Sequence, residues 1–174
     1  MKTALETANE MEKLGTIGRY AIAGSVAIIY YASPVDTDDL DIFFLHGLKD
    51  AEIFSMEKIY EHLKSRGFFP ERFTVTIDGV KVQFVPSTGP LSDEALEAAE
   101  EATLFGVQTR VIIPEYLIAL KLQAGRSKDF IHIIHLLDTS TRQIDFQALG
   151  KILNRFGMSQ KWTQFLEKTS WKEN

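Results

Sequence analysis

The sequence predicts an α/β fold: a mixed sheet of roughly four or five strands with helices on its outer face, then a helical C-terminal part. Three observations carry this. Short apolar or alternating runs are separated by segments of helical period up to residue 113. Asp78-Gly79 stands between two alternating runs, the strongest short-range hairpin signal. From Pro114 onward every apolar run has helical spacing. Residues 1–113 are therefore expected to form the α/β core and 114–174 a helical part. At about 60 residues that part is small for an independent unit, so the two are expected to pack as one compact domain, in keeping with a length of 174 residues.

The elements follow in order. Residues 3–14 carry Leu5, Met11 and Leu14 among charged residues and predict a helix that ends at Gly15. Arg19 to Ala23 is a short strand, Gly24-Ser25 a turn, and Val26 to Tyr31 a short apolar helix closed by Ser33-Pro34, since proline disfavours α conformation before it. Asp39 to Leu45 is a strand whose apolar run suggests burial on both faces. Ala51 to Arg66 has helical spacing and ends at Gly67. Phe73 to Ile77 and Val80 to Val85 form the hairpin, residues 86–90 a loop, Ser92 to Glu101 an acidic helix and Val107 to Ile113 a strand. The helical part opens with Pro114, suited to a first helical position, and Glu115 to Ala124 ends at Gly125, a C′ glycine. Helices over Ser127 to Asp138, Asp145 to Arg155 and Ser159 to Lys168 complete the chain.

Composition excludes some chemistry. With no cysteine there are no disulfides, thiolate metal sites or cysteine nucleophiles. A net charge of −5 argues against a long non-specific hold on a nucleic-acid backbone, while leaving room for a local basic pocket. The first fifteen residues lack the apolar region of a signal peptide, and Tyr20 to Tyr31 is too short to span a bilayer. A soluble, cytoplasmic protein with no membrane partner is expected.

The informative block is Gly24-Ser25 followed by Asp39-Leu40-Asp41. A strand that ends in Gly-Ser and opens a helix offers free backbone N–H groups to an anion, glycine admits close approach and serine adds a donor. Read alone, the pair also fits a turn with a capping serine. Asp39 and Asp41 leave one face of their strand while Leu40, Ile42 and Phe44 leave the other. Two neighbouring carboxylates repel each other and resist burial; Mg²⁺, a hard ion that bridges to phosphates, is the natural compensation. The alternative is that Asp38, Asp39 and Asp41 lie at a solvated strand entrance.

Together the two halves resemble the nucleotidyltransferases of the DNA polymerase β type, whose signature is Gly-Ser, a spacer, then Asp-hydrophobic-Asp on the next strand. Residues 111–129, VIIPEYLIALKLQAGRSKD, further resemble the Pro-Glu-x-Leu…Lys-Leu…Arg-x-Lys-Asp segment of the minimal, AbiEii-like members, many of them toxins of type IV toxin–antitoxin systems. The resemblance implies a nucleotidyltransferase-like sheet and transfer of NMP from an NTP to a hydroxyl of RNA, such as tRNA, or of a protein. It implies Mg²⁺ (or Mn²⁺) on Asp39 and Asp41, triphosphate contacts from Gly24, Ser25, Lys121 and Arg126, and an antitoxin partner. Asp129 would act as a general base or as the orienter of Lys121, which itself could instead be the solvated face of its helix.

The family's third carboxylate, on a following strand, is matched here by Gln83. Either the Lys and Asp of the helical segment compensate, or the chain is a catalytically inactive module that binds nucleotide or a partner. A third reading, a small-molecule adenylyltransferase of the aminoglycoside type, would need added acidic residues, for which Glu97, Glu100 and Glu101 are candidates. Asp129, His132 and His135 share a helix stripe, read as a polar stripe rather than a zinc site.

Overall fold

The computed structural model describes residues 1–37, 39–46 and 56–172. Asp38 and the first five residues of the helix predicted from Ala51 lie outside them. Within the described residues, eight helices and seven strands follow in the order α1 (Lys2–Leu14), β1 (Tyr20–Ile22), α2 (Gly24–Tyr31), β2 (Asp39–Phe44), α3 (Met56–Ser65), β3 (Pro70–Glu71), β4 (Thr74–Ile77), β5 (Val80–Pro86), α4 (Pro90–Glu97), β6 (Glu100–Leu104), β7 (Val107–Val111), α5 (Pro114–Ala124), α6 (Ser127–Thr139), α7 (Phe146–Arg155) and α8 (Ser159–Thr169). The strands form one mixed sheet in the order β3-β4-β5-β2-β1-β7-β6. The predicted α/β class and mixed sheet hold. Among the described residues no helix is long and apolar enough to cross a membrane.

The sheet has seven strands rather than four or five, because β3 and β6 escape the hydrophobic pattern. β3 is two residues long. The predicted helix over Ser92 to Glu101 is corrected at both ends: α4 starts at Pro90 and stops at Glu97, and Glu100–Leu104 is a strand. That strand pairs antiparallel with β7 across Phe105-Gly106, both at positive φ (51° and 77°). This is the two-residue hairpin turn that matches strand twist, here with phenylalanine in a place where Asn or Gly would advertise it. The predicted Asp78-Gly79 turn has the same form, at φ 47° and 76°.

Burial of β2 on both faces is likewise corrected. Leu40, Ile42 and Phe44 are buried; Asp39, Asp41 and Phe43 on the opposite face are only partly so. The strand alternates because one face closes the core and the other lines a cavity.

The topology brings four elements to one edge of the sheet. β1 ends at Ile22 and α2 begins two residues later. β2 runs antiparallel to β1, so its acidic start lies beside the end of β1, with Ile22 opposite Ile42 and the Ala23 N–H donating to the Asp41 carbonyl at 2.9 Å. β5 is parallel to β2, placing Lys81 opposite Asp39 and Gln83 opposite Asp41. β7 is parallel to β1 and delivers α5 to the same edge. Leu117, Ile118, Ala119 and Leu122 of α5 are buried, and the helix packs on α2, α4, α6 and α7.

Ile42 is fully buried at the centre of this arrangement, whereas Leu14, counted with the apolar positions of α1, is 63% exposed. We expect Ile42→Ala to cost about 2–5 kcal/mol and Leu14→Ala less than about 0.5 kcal/mol. Urea unfolding of both variants at unchanged m-value measures the difference.

Candidate functional site

The strand-to-helix turn sets the geometry. Gly24 sits at φ +60°, and a Cβ built on it would collide with the Asp41 carboxylate and stand 2.8 Å from its Cγ. Only glycine combines this backbone conformation with this contact. The Asp41 side chain therefore lies against the first residue of α2, where N–H groups lack intrahelical partners and favour an anion. Ser25 follows on the same turn.

Asp41 is ringed by charge. Burial pushes its carboxyl above the ordinary carboxylate range and neighbouring Asp39 adds to this, while Lys121, Lys128 and Arg126 act in the opposite direction. Asp39 turns Oδ1 inward, where it is shielded from solvent and accepts no hydrogen bond among the described residues. Lys81 Nζ stands 3.6 Å from that oxygen. No group of three or more His, Asp or Glu side chains that could hold a metal ion is found among the described residues. Two hard carboxylates, one with a shielded oxygen that accepts no hydrogen bond, fit Mg²⁺, an ion usually bound through one or two carboxylates together with phosphates.

The facing wall comes from α5 and α6. Lys121 is 9% exposed, and its Nζ donates to Nδ1 of His132 at 3.0 Å and lies 3.6 Å from Oδ1 of Asp129. Burial pushes the Lys121 ammonium below its ordinary value, with Asp129 and Asp41 opposing that shift. Asp129 is fully buried. Its Oδ2 accepts from Arg126 Nε at 2.7 Å and from the Arg126 backbone N–H at 3.2 Å, and its Oδ1 accepts from Arg126 Nη2 at 3.1 Å. Burial alone would raise the Asp129 carboxyl; the Arg126 hydrogen bonds and the Lys121 charge outweigh it and hold the group below its ordinary value. Both Asp129 oxygens are thus engaged, by Arg126 and by Lys121.

Gly24, Ser25, Asp39, Asp41, Gln83, Lys121, Arg126, Lys128 and Asp129, distant in sequence, all line one cavity of about 430 Å³. His132 lines it too, although the sequence reads it only as part of a polar stripe with Asp129 and His135. His135 points elsewhere, its Nε2 lying 2.7 Å from the Ser33 carbonyl oxygen. Glu97, Glu100 and Glu101 do not line the cavity, and Glu100 pairs with Arg142 instead. A larger opening of about 680 Å³, between Asp138 and Trp171, holds none of these residues.

No protein-family model matches the chain, and no curated protein matches it. Among solved structures it is similar to an antigenic nucleotidyltransferase-like protein from Paracoccidioides brasiliensis, at 15% identity over 95% of this chain and 91% of that one, with a TM-score of 0.50. It is also similar to the antibiotic-resistance factor ANT(2'')-Ia in solution, at 10% identity over 97% of this chain and 98% of that one, with a TM-score of 0.54. ANT(2'')-Ia in complex with adenylyl-2''-tobramycin gives 12% identity over 89% of this chain and 95% of that one, with a TM-score of 0.53. These likenesses show the fold, that of nucleotidyltransferases.

Partly buried Asp41 and fully buried Asp129 have opposite linkage to stability. Asp41 is raised in the fold, so its charge opposes folding above its ordinary value near 3.9 and ceases to do so as pH falls and it protonates. Asp129 is depressed, so its contribution is present above about pH 4 and is lost as pH falls through its folded value. In chelator at pH 7 we expect Asp41→Asn to raise the melting temperature, with the gain vanishing in acid. We expect Asp129→Ala to cost about 3 kcal/mol, the low end for a broken buried pair, because Arg126 can reach water. Thermal and urea unfolding between pH 3 and 7 test both.

Proposed function

We propose that this chain is a Mg²⁺-dependent (or Mn²⁺-dependent) nucleotidyltransferase that moves a nucleoside monophosphate from an NTP to a hydroxyl of RNA, such as tRNA, or of a protein. The observation that carries this reading is the convergence of the Gly24-Ser25 helix start, Asp39 and Asp41, and the Lys121–Arg126 wall on one cavity within a nucleotidyltransferase fold. Its volume, about 430 Å³, is in the range of small-molecule and cofactor sites.

In this reading Asp39 and Asp41 hold the metal ion, which when bound positions the phosphates and neutralises developing charge. The α2 N–H groups and Ser25 bind triphosphate oxygens, and Lys121 and Arg126 hold the rest of the chain of phosphates. Asp129 keeps both cations aimed into the cavity, with His132 as a second anchor for Lys121. The acceptor oxygen bonds to the α-phosphorus in line with the departing pyrophosphate, and its proton passes to solvent. Residues 1–113 and 114–174 act as one unit, because the second supplies the cationic wall facing the carboxylates of the first. The segment from Pro114 to Asp129 supports assignment to the minimal, AbiEii-like enzymes, with a toxin role and an antitoxin partner.

A second reading is a module that binds nucleotide without transferring it, favoured by neutral Gln83 directly opposite Asp41. Adenylyl transfer to a small-molecule hydroxyl, suggested by the tobramycin complex of ANT(2'')-Ia, is disfavoured because Glu97, Glu100 and Glu101 are absent from the cavity lining.

Incubation with each α-labelled NTP, Mg²⁺, and total tRNA or cell extract tests the proposal. We expect label on RNA or protein, reduced at least about 100-fold by Asp41→Ala, a loss on the scale of removing one transition-state stabiliser. Mg²⁺-dependent NTP binding without transfer would establish the silent module, and label unaffected by Asp41→Ala would remove that residue from the site.

A further inference from the structure

Four side chains on neighbouring strands form a square at the acidic wall. Asp39 and Asp41, two apart on β2, face Lys81 and Gln83, two apart on the parallel strand β5, with Asp39 in register with Lys81 and Asp41 in register with Gln83. Residues two apart on a strand share a face, so all four side chains belong to one surface. That surface carries two negative charges and one positive charge, and the positive charge is already engaged, Lys81 Nζ lying 3.6 Å from Asp39 Oδ1.

We propose that this site is built for one divalent cation, not two, and that Lys81 supplies at Asp39 the positive charge that a second ion would otherwise bring. This rests on the nucleotidyltransferase reading and specifies how its metal is held. Two-metal phosphoryl-transfer sites hold their ions about 3.5–4 Å apart, where two doubly charged ions repel about four times as strongly as two unit charges. Anionic donors must offset that repulsion. Among the described residues the donors run out: Asp39 is shared with an ammonium, and Gln83 presents a neutral amide where Asp41 would need a charged neighbour. The one other carboxylate among the described residues that line the cavity, Asp129, is closed off by Arg126 and Lys121. A single ion on Asp39 and Asp41, completed by phosphate oxygens and water, needs no further carboxylate.

The proposal predicts a number that can be counted apart from catalysis. Mn²⁺ is titrated into the full chain with a saturating non-hydrolysable α,β-methylene NTP, and bound ions are followed by electron paramagnetic resonance. One magnetically isolated Mn²⁺ per complex, distinct from Mn²⁺ on the free nucleotide, is expected. Lys81→Met combined with Gln83→Glu should give two ions with the broadened signal of a coupled pair. Gln83→Glu alone, a near-isosteric change, should tighten Mn²⁺ binding at least about tenfold by adding an anionic ligand, and serves if the double variant does not fold. Two coupled ions in the unaltered chain would overturn the single-ion proposal and leave the nucleotidyltransferase reading standing. A spectrum identical to that of the nucleotide alone would overturn both. A double variant that folds and still binds one ion would show that Lys81 and Gln83 are not what excludes the second.

Discussion

The contact between the Asp41 carboxylate and the α-carbon of Gly24 is the constraint on which the rest of the site depends. A carboxylate held against a helix start, with burial and a second carboxylate raising its cost, persists only where cations answer it. The cations that do so, Lys121, Arg126 and Lys128, come from α5 and the start of α6, eighty or more residues further along the chain. They reach Asp41 because β7 runs parallel to β1 and hands the chain to α5 at the same sheet edge. A side chain on Gly24 would displace Asp41 and remove the reason for the basic wall to face it.

The basic wall has its own internal order. Lys121 is buried, and a buried ammonium is tolerated only with partners. It has two, one neutral (His132) and one ionised (Asp129), and the ionised one is bound on its other side by Arg126. Asp129 thus links two cations that would otherwise repel each other. Its position in the first turn of α6, where it also accepts the Arg126 backbone N–H, fixes the start of the helix and the direction of both cations together.

Much of this was legible in the sequence, and the parts that were not share a cause. Gly24-Ser25 and Asp39-Leu40-Asp41 are local signals, readable because helix starts and strand alternation are local physics. The hairpin at Asp78-Gly79 is local as well. β6 was hidden because its turn is Phe105-Gly106 and its strand begins with two glutamates, which read as a continuation of the acidic helix. The placements of Lys81 and His132 were hidden for a different reason. Each depends on a neighbour supplied by another element, the parallel register of β5 on β2 for Lys81 and the packing of α6 on α5 for His132. The same non-locality holds for Asp129, whose full burial and three hydrogen bonds from Arg126 depend on how the start of α6 packs.

Charge balance then connects the whole chain to its cavity. A net charge of −5 belongs to the surface as a whole, whereas the cavity is bipolar. One wall carries Asp39 and Asp41, tempered by Lys81; the other carries Lys121, Arg126 and Lys128, tempered by Asp129. A monoanion would satisfy the second wall and leave the first with its repulsion. A divalent cation alone would satisfy the first and be repelled by the second. A polyanion that brings its own cation meets both, because the ion sits against the carboxylates while the remaining negative charge reaches the ammonium and guanidinium groups. On the proposed reading, each half of such a ligand is poorly matched without the other, so the two walls would select for the pair.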